Sequence, residues 1–139
     1  MLSRGVVMTV IAGVAGAACV ALPVDNSKQA SAAVQGRLLK PDGVTGISTQ
    51  VTAQLLGNPV NGVSPFFDQA TVVADNNGNF LFKFTLSNVD AQNGTVNISV
   101  LAPIASGLAP KDTVGIPVRI GSGLNPTDTT FVQIKLQAR

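Results

Sequence analysis

From Ala33 onward the chain alternates apolar and polar side chains in short runs separated by Gly, Pro, Asn and Asp. Successive Cβ atoms of an extended chain point to opposite faces, so a period of two marks a half-buried strand. Ile47, Thr49, Val51, Ala53 and Leu55 fall on one side, with Ser48, Gln50, Thr52 and Gln54 on the other. Phe80, Phe82, Phe84 and Leu86 repeat the pattern with Lys83 and Thr85 outward. The same inward spacing recurs at Val96, Ile98 and Val100, at Val114, Ile116, Val118 and Ile120, and at Val132, Ile134 and Leu136. With the runs Val34 to Leu39 and Phe67 to Val73 this predicts about seven strands and no helix in the body of the chain.

Residues 33–139 suffice for one core and not for two. Asp75-Asn76-Asn77-Gly78-Asn79 falls between two strand runs, and Asn and Gly tolerate the positive φ that a tight hairpin demands. The expected fold is all-β, a single seven-stranded antiparallel β-sandwich of Ig-like or prealbumin-like type over 33–139. An apolar export segment precedes it.

That segment is legible from its charge pattern. Arg4 precedes an uncharged run from Gly5 to Leu22 that is diluted by Gly5, Gly13, Gly16 and several alanines, and it holds the lone Cys19. Residues 1–23 read as a signal peptide or a lipoprotein signal, removed rather than kept as a membrane span. Three cuts fit the small residues: before Cys19, after Ala15-Gly16-Ala17, or after Ala30-Ser31-Ala32. The first resembles a bacterial lipoprotein signal through Ala17, Ala18 and Cys19, and departs from it at Gly16, where that family usually has leucine. It would place a lipid on Cys19 and tie the chain to a membrane. Residues 24–32 are polar, small and aperiodic, and read as a flexible linker.

Composition removes most chemistry. The chain has no His, Trp or Tyr, and its seven acidic residues are all Asp. An imidazole-based nucleophile is therefore excluded, and no serine-lysine spacing suggests an alternative. The chain is read as no enzyme and as needing no cofactor. No metal site is expected; Asp75, Asn77 and Asn79 form a weak calcium candidate that lacks the glutamate of an oxygen-lined loop, and a hairpin turn explains the same residues. Nine basic residues against seven acidic ones, unclustered and without stacking aromatics, argue against nucleic acid as a partner. Asn93 and Asn97 open two glycosylation sequons whose use depends on the host. Phe66 and Phe67 adjoin the long Gly57 to Pro65 loop. Either a bulge lets both rings fill the core, or Phe66 is exposed and makes Asn58, Val60, Asn61 and Phe66 the contact loop.

Val34-Gln35-Gly36-Arg37-Leu38, then Lys40-Pro41-Asp42-Gly43, then Ala74 to Phe82 resemble the carboxypeptidase regulatory-like domains of transthyretin-type sandwiches. The likeness covers the first half of the domain. It departs at the Gly57 to Pro65 insertion and at Ala74, where the group has threonine. The resemblance implies an extracellular or envelope β-sandwich that serves as a non-catalytic accessory module. Together with the Cys19 signal it reads as a module of the bacterial cell envelope, lipid-anchored or extracellular, whose expected partners are other envelope or extracellular proteins or a second copy of the chain. Two further readings stand beside it. One is a self-assembling filament or surface-layer subunit that adds strands through Val34 to Leu39 or Phe131 to Gln137. The other is a carbohydrate-binding module, disfavoured by the missing Trp and Tyr.

Overall fold

The computed structural model describes residues 28–139. The signal segment 1–23, the two upstream cuts and Cys19 lie outside the described residues. Seven strands follow in order: β1 (Gln29–Leu39), β2 (Gln50–Leu56), β3 (Phe66–Val73), β4 (Asn79–Ser87), β5 (Gln92–Val100), β6 (Lys111–Ser122) and β7 (Thr129–Lys135). A single 3-10 turn, Ile104–Ser106, is the one helical element among the described residues.

Each strand forms where the period of two is cleanest. In β4 burial alternates without a break, and Phe80, Phe82, Phe84 and Leu86 all point inward. The Phe82 ring meets Phe80 edge-on at 5.7 Å and stacks on Phe84 at 6.1 Å, both favoured aromatic arrangements. Val34, Leu38, Val51, Leu55, Ile98, Ile120 and Ile134 close the same core. Each such side chain contributes about 1.5–3 kcal/mol on burial.

The strands make one continuous sheet in the order β3-β2-β5-β6-β1-β4, with β7 also on β1. Two limbs are recognisable, β3-β2-β5-β6 and β4-β1-β7. They join where the end of β6 pairs with the start of β1, Ala30 opposite Ser122 and Ser31 opposite Gly121. The sheet curls until its two ends, β3 and β4, lie beside each other, giving a nearly closed barrel-like wrap around the core.

Several expectations are corrected. The ladders are antiparallel except one: β7 runs parallel to β1, from Ala33 opposite Thr129 to Leu39 opposite Lys135. β1 begins at Gln29, inside the stretch expected to be linker. Ala30, Ser31 and Ala32 are buried there and paired to Leu86, Thr85 and Phe84 of β4. A cut after Ala32 would strip these rungs from the folded product, so this third cut does not suit the fold. β1 is also no free edge, because β4 holds one side while β6 and then β7 hold the other.

Val114, expected inside, is exposed. Thr113 pairs with Ile98 and Ile116 with Val96, so Asn97 faces one residue too many. This β-bulge flips the parity of β6. Gly115 takes φ +71° within it, and its N–H donates to Asn97 Oδ1 at 2.9 Å. The rest of the inward set, Ile116, Val118 and Ile120, stays on the core side.

Candidate functional site

Three surface features carry chemistry. The first is the loop before β3. Its stem is closed by Gly57 N–H donating to Pro65 O at 2.8 Å, and its tip by reciprocal bonds between Val60 and Val63 at 2.8 and 3.1 Å. Between them Asn61 (φ 54°) and Gly62 (φ +81°) are both left-handed, the pairing that a two-residue type I′ hairpin requires. A small hairpin therefore stands where the sequence suggested only a long loop. Its tip valines are exposed at 65% and 69%. Asn58 is fixed at the stem, its N–H donating to Gln92 Oε1 at 2.9 Å.

Phe66 and Phe67 divide between the two expectations. The bulge exists: Leu55 pairs with Asp68 and Leu56 with Phe66, which leaves Phe67 as the extra residue. Only Phe67 uses it to pack against the core. Phe66 stays outside at 59% exposure, on the side of the stem.

The second feature is the turn end of the molecule. Asp75 Oδ1 accepts the N–H groups of Asn77 and Asn79 at 2.9 and 2.8 Å, and its Oδ2 accepts Asn79 Nδ2 at 3.4 Å. The Asn79 N–H, ahead of that of Asn77, holds the Asp75 carboxyl below its ordinary value. The calcium-candidate residues thus serve one another as a turn, and Asn77 O is taken by Arg37 Nε at 2.9 Å. Among the described residues no three His, Cys, Asp or Glu side chains gather closely enough to hold a metal ion. In the neighbouring loop the Asp42 carboxylate accepts Thr45 Oγ1 at 2.5 Å and the N–H groups of Val44 and Thr45 at 2.8 Å each. The Thr45 hydroxyl first, then these N–H groups, lower its carboxyl from 3.8 to about 2.

Sequence reasoning missed the third feature, a groove of about 380 Å³ on the outer face of β4-β1-β7, lined by Gln35, Gly36, Arg37, Asn79, Phe131 and Gln133. Register assembles it. Gln35 lies between Leu81 and Phe131, and Arg37 between Asn79 and Gln133. Phe131 is exposed at 73%. Its signal was present in the sequence: Phe131 and Val132 are adjacent apolar residues in one strand, so one of them must face outward. Of the sequon residues, Asn93 is exposed on β5 and Asn97 is tied to the β6 bulge.

No family model matches the chain, and no curated protein does. Among solved structures the chain is similar to a 9R-lipoxygenase from Cyanothece PCC8801, at 14% identity and a TM-score of 0.33. The match covers 86% of this chain and 17% of the lipoxygenase chain, so the chain spans less than a fifth of that protein's length. A likeness this slight bears on neither fold nor activity.

Proposed function

We propose that this chain is a non-catalytic module of the cell envelope or extracellular space, exported by its N-terminal segment, that works by contact with other surface proteins. Its two limbs read as the layers of a β-sandwich. The resemblance to carboxypeptidase regulatory-like domains is supported by the Asp75 to Asn79 turn leading into β4. The observation that carries the proposal is the hairpin tip. Val60 and Val63 are exposed apolar side chains on a turn closed by its own backbone bonds, with Phe66 exposed nearby. A surface ordered before binding loses little conformational freedom on contact, which favours recognition.

A photo-crosslinking residue at position 61, introduced in the producing cell, tests the reading. The expected result is a discrete adduct with another envelope protein that disappears with Phe66→Ser. Failure to form any adduct overturns it. An adduct with a second copy favours the self-assembling reading instead, for which one observation speaks: among the described residues β7 has a ladder to β1 on one side and none on the other.

A further inference from the structure

We propose that the outer face of the β4-β1-β7 limb binds an acidic polysaccharide, a sugar chain bearing carboxylates, with Arg37 and Lys83 meeting its charge and Phe131 stacking on a ring. It takes up the carbohydrate reading that the missing Trp and Tyr disfavoured, because the exposed Phe131 ring offers a stacking surface in their place, and it goes beyond the reading above by giving a different surface a ligand of different chemistry.

Charge comes first. β1, β4 and β7 contain no acidic residue. By strand parity and register Arg37, Lys83 and Lys135 all fall on the outer side. A face with cations and no strand carboxylate complements an anion. Asp75 lies near Arg37, but its carboxylate is turned into its own loop, where Oδ1 accepts the N–H groups of Asn77 and Asn79 and Oδ2 the Asn79 side-chain amide.

Arg37 is also held in place. Its Nε donates to Asn77 O at 2.9 Å and its Nη2 to Val44 O at 3.2 Å. A guanidinium has five N–H groups, so this clamp fixes the fork while leaving donors for a carboxylate.

The neutral groups select sugar among anions. Gln35, Asn79 and Gln133 line the groove, and amides both donate to and accept from hydroxyls. The Phe131 ring supplies the one exposed aromatic surface on this face. A nucleic-acid strand would call for a continuous basic stripe and repeated stacking rings.

Finally, the site is extended. A second cavity of about 290 Å³ on the other side of Gln35 is lined by Ala33, Leu81, Lys83, Asn125 and Pro126. Gln35 borders both cavities, so the pair suits a chain rather than a single sugar.

Affinity electrophoresis of the full chain through gels containing polygalacturonate, or its fully methyl-esterified neutral form, tests the proposal. Retardation by polygalacturonate is expected, at least tenfold weaker with the ester. Phe131→Ala and Lys83→Gln, both exposed positions, should each weaken binding about tenfold, equivalent to ~1.4 kcal/mol, with unchanged circular dichroism. Phe66→Ala should leave binding intact, which separates this site from the hairpin tip. Absence of retardation by polygalacturonate overturns the proposal. So does equal affinity for single-stranded DNA or polyphosphate of matched charge, or undiminished binding by Phe131→Ala.

Discussion

The two limbs of the sheet bury the same kinds of side chain and differ in what they turn outward. On β3-β2-β5-β6 the outer face is largely a lattice of neutral polar groups, with the opposite charges of Asp112 and Arg119 confined to β6. Thr52 and Thr71 hydroxyls meet at 2.9 Å, Gln54 Nε2 donates to Gln69 Oε1 at 2.9 Å, and register sets Ser99 and Asn97 beside them. On β4-β1-β7 the outer face carries Arg37, Lys83 and Lys135 around a groove with an exposed ring. A formal net charge of only +2 for the whole chain conceals this segregation. Packing constrains the inner positions of both limbs alike, so the outer positions are where one limb acquires chemistry that the other lacks.

The contrast can be broken most strongly at Gly36. A Cβ there would stand 2.3 Å from Phe80 Cζ and 2.7 Å from Val132 O, with backbone on one side and a packed ring on the other. Gly36→Ala should cost about 1–3 kcal/mol by overpacking, read as a lower urea midpoint. Exchange protection should fall in β7 and β4 before β2 and β5; uniform loss across both limbs would show that they do not respond separately. A smaller effect is expected from a double-mutant cycle on Thr52→Ala and Thr71→Ala, where the coupling should be about 0.2–1 kcal/mol. Neither threonine substitution should alter polygalacturonate binding.

The smallest effect concerns the loop between β1 and β2, one of those that link the limbs. The Asp42 carboxyl is lowered from 3.8 to about 2, chiefly by the Thr45 hydroxyl. A depressed carboxylate stabilises the fold above its unfolded value and loses that contribution as pH falls toward the folded one. Asp42→Asn should therefore flatten the stability profile between pH 3.8 and about 2, measured by thermal melts across that window. Asp75 acts in the same direction and should leave a residual slope.

Much of this fold was legible because alternation is a local signal. All seven strand runs, and the inward rows of β2, β4 and β5, follow from side-chain spacing that each segment carries by itself. What escaped was non-local or masked by small residues. Ala30, Ser31 and Ala32 look like linker because small side chains carry no strand signature, yet such residues fit a strand hemmed in on both edges. Val114 was misassigned because a bulge depends on which strand lies opposite. The left-handed pair Asn61-Gly62 was readable as a hairpin turn and went unread inside a longer loop. The groove was least legible, since Arg37, Asn79 and Phe131 meet only through the pairing of the first, fourth and last strands.

That pairing sets the order in which the protein can be finished. β1 leads the described chain, but its rungs are supplied by strands made midway along and at the far end. Contacts so distant in sequence form slowly, because loop closure must come before any gain from pairing. A growing polypeptide would hold its leading strand unsatisfied until the last one has emerged. Any truncation that removes the final strand exposes one flank of the first, converting an interior ribbon into a sticky border.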